Sequence, residues 1–296
     1  MIWTARASLW RFKIGITYFC FARVKVKFEV GVLVLFQRVI TAVLGVILVL
    51  SALWVGGVFL GLLFAAIAVV STLEIGTMMK IAKTSAESVV AIVFAILIVL
   101  WPGFERFWFA LFYALLVLTI VRRESFSFSG AGVLFAGALY SSYAFRTLLD
   151  LRETAHGLAF VMIILIAIWS TDTGAFFVGR ALGGRKLMPE VSPKKTVSGA
   201  FGGLVLAVIL TVVTGLFMLP HALNDWGMLA LLGAIISVSG QTGDLVESAL
   251  KRHYAVKDSG WLLPGHGGLL DRFDSLLLAA PIAYHFIIWF FPAYIL

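Results

Sequence analysis

Asp244, Glu247, Ser248 and Lys251 stand at i, i+3, i+4 and i+7, so one helix face carries two carboxylates, a hydroxyl and an ammonium. Asp271, Asp274 and Ser275 repeat the pattern further along. Carboxylates on facing helices with hydroxyls between them make an all-oxygen site. With neither His nor Cys beside them, such a donor set prefers Mg²⁺ to zinc. Asp244, Asp271 and Asp274 would repel one another unless a cation or a group of bases sat among them, so together they point to chemistry more than to packing. Between the two groups lie Lys251, Arg252, Lys257, Asp258 and the run Pro264-Gly-His-Gly-Gly268. Its small residues, Gly267 and Gly268 among them, would let backbone N–H groups approach a phosphate, and the helix starting behind them adds its positive end. Lys and Arg would neutralise the phosphate oxygens. His266 reads as a phosphate contact or loop-shaping donor rather than a metal ligand. A second basic run, Ser192-Pro-Lys194-Lys195-Thr196, follows Arg180, Arg185 and Lys186 and could hold the far end of a polyphosphate. Asp172, taken alone, reads equally well as a site residue or as a pairing charge between helices.

The elements that carry these residues must be membrane helices. Of 296 residues 61% are hydrophobic and only 13% charged, against about 25% charged in a soluble domain. Mean hydropathy is +1.05. A water-soluble globule could not hide that much apolar surface, so the fold class is all-α, a polytopic integral membrane protein. The single cysteine, Cys20, excludes an intrachain disulfide. The net charge of +8 is not a nucleic-acid signature, because the basic residues alternate with apolar stretches instead of forming a stripe.

Spans of about 20 apolar residues are predicted near 36–53, 56–79, 86–101, 104–121, 130–148, 157–179, 198–218, 227–249 and 269–291. With the N-terminus inside, the leader and inner loops hold 20 of the 23 Lys and Arg residues, leaving Arg106, Arg146 and Arg152 outside. This asymmetry predicts nine spans, N-terminus inside and C-terminus outside. Residues 1–35 read as a basic leader, either an interfacial helix or an extension. Residues 36–296 read as one membrane domain, with the working residues in 157–291. An ionisable residue within a span costs at least about 2.5–3.5 kcal/mol on insertion scales. Asp172, then Gln241, Asp244 and Glu247, then Asp271 and Asp274 arrive on three separate helices at one depth, the cytoplasmic third of the bilayer. Inner-leaflet phospholipid headgroups lie at that level.

The stretch Ser248–Asp274 resembles the signature of the phosphatidate cytidylyltransferases: Ser-x-x-Lys-Arg, four residues, Lys-Asp, then a Pro-x-His-Gly-Gly-x-x-Asp-Arg-x-Asp close. Ser248, Lys251, Arg252, Lys257, Asp258, Pro264, His266, Gly267, Gly268, Asp271, Arg272 and Asp274 occupy its fixed positions. Gly243-Asp244, Asp172-Thr-Gly-Ala175 and Ser192-Pro-Lys-Lys-Thr196 resemble the family's upstream features. One departure is Ser198, where the family usually has an acidic residue or Gln before the Gly. The resemblance implies a magnesium-dependent transfer from CTP to phosphatidic acid, giving CDP-diacylglycerol and pyrophosphate in a bacterial-type plasma membrane, with the site facing the cytoplasm.

In that reading Asp244 and Asp271 hold the ion, with Asp274 and Asp172 in or beside its shell and room for a second cation. Lys251, Lys257, Asp258 and His266 join the catalytic group. Lys194, Lys195, Thr196, Ser248, Arg252, Gly267, Gly268 and Arg272 contact the substrates. The resemblance also suggests a homodimer. A transporter for an anion would spread polar residues through the full depth of the membrane, whereas here they crowd one side. A CTP-using polyprenol kinase is the other enzymatic reading.

Overall fold

The computed structural model describes residues 39–220, 223, 225–262 and 267–295. The expected leader and His266 lie outside them. Residues 39–49 fall in one compact unit and the rest, from Leu50, in a second. The first unit contributes the start of α1 (Val39–Val55).

Eight further α-helices fill the second unit: α2 (Gly57–Met78), α3 (Ala86–Leu100), α4 (Trp108–Val121), α5 (Phe128–Arg152), α6 (Gly157–Leu182), α7 (Val197–Met218), α8 (Trp226–His253) and α9 (Leu270–Phe290). Among the described residues six helices are long and apolar enough to cross a bilayer: α2, α4 with the 3-10 turn before it, α6, α7, α8 and α9. Large apolar side chains such as Val58, Ile120 and Phe217 face outward, as expected of a multi-pass membrane protein whose solvent is lipid.

Helix starts follow local chemistry. Ser85, Ser127 and Thr196 cap α3, α5 and α7 by accepting the N–H of the third residue onward. The α1–α2 junction passes through Gly56 and Gly57, both at positive φ (69° and 55°), where a side chain would be strained.

Three departures from the predicted elements matter. α5 runs on to Arg152, because Arg146 and Asp150, one turn apart, pair with each other. Arg146 is only 4% exposed and also donates to the Val99 carbonyl. α8 extends one turn past 249, which keeps Lys251 and Arg252 in helical register. The basic run after α6, expected as a loop, forms a small antiparallel hairpin of β1 (Lys186–Met188) and β2 (Ser192–Thr196).

α6, α7, α8 and α9 pack in succession, while α2, α3 and α5 form a second group joined to the first mainly through α5 against α9. α6 and α7 meet backbone to backbone. A Cβ on Gly203 would lie 2.5 Å from the Thr171 carbonyl, and one on Gly199 2.8 Å from that of Ala175. Small residues allow such close approach in a bilayer. Gly203→Val is therefore expected to destabilise by about 1–3 kcal/mol or more, read as a lower thermal unfolding midpoint in detergent. Gly132→Ala, with nothing within 4 Å, should leave the midpoint unchanged.

The two ends of the bundle are tied separately. At one, Arg152 donates to the Leu53 and Trp54 carbonyls, the His156 N–H donates to the Tyr294 carbonyl, and the Tyr294 hydroxyl donates to Asp225 at 2.6 Å. Burial, and then the bond to Asp225, pushes the Tyr294 phenol up to about 12, so it remains a donor through the neutral range. At the other end, Lys83 lies 5.9 Å over the Trp261 ring, joining the α2–α3 and α8–α9 connections. Glu74, Ser259 and Asp271 lie at this second end.

Candidate active site

α8 delivers its polar face as the spacing predicts. The Ser248 hydroxyl donates to Asp244 Oδ1 at 3.3 Å, and Lys251 Nζ lies 2.5 Å from Glu247 Oε2. The residues then divide into two neighbouring groups. Asp244 and Lys251 are about 10 Å apart along the helix axis, and each anchors one group.

The first group surrounds the hairpin. Lys195 Nζ on β2 contacts Asp244 Oδ2 at 2.6 Å. Asp172 on α6 and Asp274 on α9 lie within electrostatic reach of Asp244 and Lys195. A cavity of about 390 Å³ opens beside them, lined by Asp172, Arg180, Lys194, Lys195, Thr196 and Gln241 among others. Its polar head is basic, while Ala175, Phe176 and Leu187 supply apolar wall.

Thr196 holds the hairpin against α7, accepting from the Gly199 N–H and from Ser198 Oγ. The Ser198 hydroxyl also donates to the Gly183 carbonyl. Where the resemblance leads one to expect an acidic residue or Gln, a hydroxyl staples the end of α6 to the start of α7. Gln241 donates to the Ala200 carbonyl at 3.2 Å and fixes α8 beside the same helix.

The second group surrounds Lys251, whose ammonium bridges Glu247 and Asp271, at 2.6 Å from Asp271 Oδ1. Asp271 Oδ2 accepts the N–H of Ser259, the N–H of Gly268 and the Ser259 hydroxyl, each at 2.9 Å. Both oxygens of Asp271 are thus filled from within the chain. Asp271 therefore takes its partners from Lys251, Ser259 and Gly268, while Lys195 pairs with Asp244. Among the described residues no group of three or more His, Cys, Asp or Glu side chains is placed to hold a metal ion.

The expected phosphate cradle at α9 is likewise filled. Gly268 N–H points to Asp271, and the N–H groups of Leu269 and Leu270 donate to Glu74 Oε1 and Oε2, each at 2.8 Å. The start of that helix holds the protein's own carboxylates in place of a substrate anion.

Arg252, Lys257, Asp258 and Arg272 are exposed around this group, and Arg252 reaches the Val256 carbonyl. Asp258 approaches Gly267, whose φ of 82° needs glycine.

Sequence reasoning missed Glu74 and Ser259. The insertion cost that marked Asp172 applies equally to Glu74, a carboxylate near the end of an apolar span. It was the available signal.

Residues 36–290 match the family model described as the cytidylyltransferase family. A Bacillus subtilis protein named phosphatidate cytidylyltransferase is 40% identical over 265 residues, covering 84% of this chain and 96% of that protein. One of the same name from Staphylococcus haemolyticus is 36% identical over 254 residues, covering 83% and 96%.

Proposed function

The chain belongs to the cytidylyltransferase family, and on that footing we propose that it transfers the cytidylyl group of CTP to phosphatidate. A phosphate oxygen of the lipid attacks the α-phosphorus of CTP. The bond from that phosphorus to the bridging oxygen breaks, and pyrophosphate leaves with the electron pair. The products are CDP-diacylglycerol and pyrophosphate. The observation that carries this reading is the pairing of Lys195 with Asp244 and of Lys251 with Asp271 at one end of the bundle, beside a basic cavity.

Little covalent work falls to the protein in such a transfer, which depends on placing two anions together and neutralising them. Lys194, Lys195 and Arg180 border the cavity and would take the triphosphate. Lys251, Arg252 and Lys257 stand where the lipid phosphate would arrive, with the acyl chains left in the bilayer. Asp172, Asp244 and Asp274, which do not form a ligand set by themselves, would hold a divalent cation together with substrate phosphate oxygens, because hard oxygen donors suit Mg²⁺. When bound, that ion supplies charge neutralisation for the triphosphate and the leaving pyrophosphate. Asp271, already saturated, would instead hold Lys251 in place.

We also propose nine spans, with α1, α3 and α5 crossing beside the six long apolar helices and the N-terminus and the site on the cytoplasmic side, as the distribution of basic residues suggests. Phosphatidate of the inner leaflet and cytoplasmic CTP would then meet at this end.

The decisive measurement is pyrophosphate release from CTP by the purified protein in mixed micelles. Release should require phosphatidate, stop with a chelator and return with Mg²⁺. Equal release with a polyprenol in place of phosphatidate, or with no lipid acceptor, would sink the assignment.

A further inference from the structure

Glu74 is the only charged residue of α2 and is 7% exposed. Its carboxylate is filled by groups on both sides of the α8–α9 connection. The Ser259 hydroxyl lies 2.8 Å from Oε2 on the way in, and the N–H groups of Leu269 and Leu270 donate at 2.8 Å on the way out. Leu269, in the capping position of α9, makes no cap bond of its own. Those N–H groups would otherwise be orphaned near a buried helix start.

The connection is also shaped around this carboxylate. A Cβ on Gly260 would lie 2.5 Å from Glu74 Oε1, and one on Gly268 would lie 2.6 Å from Oε2 and collide with Ser259 Oγ. The Ser259 hydroxyl is shared: it is 2.8 Å from Glu74 Oε2 and 2.9 Å from Asp271 Oδ2, with one proton to give. Glu74 therefore touches, through one hydroxyl and two backbone amides, the segment that orients Asp271 against Lys251.

We infer that Glu74 is a positioning residue for the transfer: a carboxylate carried by a helix outside the α6–α9 group that closes the start of α9 and holds Asp271 and Lys251 in register. A cap from the connection itself would satisfy the amides but leave α9 unattached to α2. Delivered from α2, it sets where α9 begins relative to the rest of the bundle.

The inference rests on the transferase reading, and its test separates the two. CDP-diacylglycerol formation is measured in mixed micelles for the full chain and for Glu74→Ala, Glu74→Gln and Ser259→Ala, with thermal midpoints recorded alongside. Glu74→Ala should lower kcat by about 10–100-fold, the scale of a small misplacement at a reacting centre. KM for CTP should stay near wild type, because the bonds of Glu74 run to Ser259, Leu269 and Leu270 and not to the hairpin that borders the cavity. Glu74→Gln, keeping one acceptor oxygen, should fall between. Ser259→Ala should lower kcat in the same sense, and adding it to Glu74→Gln should cost little more.

Wild-type kcat in Ser259→Ala overturns the inference, and that variant decides alone should the Glu74 variants fail to accumulate. So does a loss in the Glu74 variants that tracks their thermal midpoints, or a rise of KM for CTP in step with the fall of kcat. An inactive wild type would defeat the transferase reading itself, whereas an active wild type with unaffected variants defeats only this one.

Discussion

Asp271→Asn is expected to lose CDP-diacylglycerol formation by about 10²–10³-fold or more, the range seen when one preorganised electrostatic group is removed, while the protein still inserts and folds. The geometry gives both halves of that result. Asp271 takes Lys251 on one oxygen and three donors from Ser259 and Gly268 on the other. An amide keeps one acceptor, so its NH₂ must face either the ammonium or the backbone N–H groups, and the negative charge is gone in both orientations. Glu247 remains beside Lys251, so the ammonium stays partnered and the fold has no new buried charge. Activity within tenfold of wild type would show that Asp271 does not order the reacting groups.

Lys251→Met reverses that balance and is expected to cost stability as well as turnover. The Lys251 side chain is 13% exposed, against 2% for Glu247 and 7% for Asp271. Removing it leaves two buried carboxylates without their shared cation, and breaking such a pair costs about 3–5 kcal/mol. Glu247 suffers most: apart from the ion pair its oxygens have no hydrogen-bond partner among the described residues, whereas Asp271 retains Ser259 and Gly268. The thermal midpoint should therefore fall clearly, and Glu247→Gln in the same background should recover part of the loss. Glu247→Gln alone should be mild, because Lys251 keeps Asp271. Equal midpoints for Lys251→Met and wild type would mean that water screens these charges far more than their burial implies.

Both expectations depend on contacts that the sequence shows unevenly. Spacing along α8 gives the neighbours of Asp244 and Lys251 correctly, because i, i+3 and i+4 relations are fixed by helix geometry alone. Span positions are legible for the same local reason: long apolar runs end at charges and glycines. Legibility fails where a distant partner decides. The predicted α5 stops at 148, whereas the helix runs on past Asp150, which pairs with Arg146 one turn earlier. The hairpin after α6 has strands of three and five residues, too short for any alternation to show. Glu74 finds its partners 185 to 196 positions away, beyond any pattern in the local sequence. Which donors reach the oxygens of Asp244 and Asp271 is likewise decided by distant residues, Lys195 for the one and Ser259 and Gly268 for the other.

The Lys195–Asp244 contact has a consequence for how a nucleotide would arrive. In the resting protein that ammonium already has an anion, so an incoming phosphate does not meet a bare positive charge. In the proposed transfer it would win the lysine by exchange and leave Asp244 in need of a new counter-charge. Entry would then be a swap of counter-ions more than the filling of a vacancy.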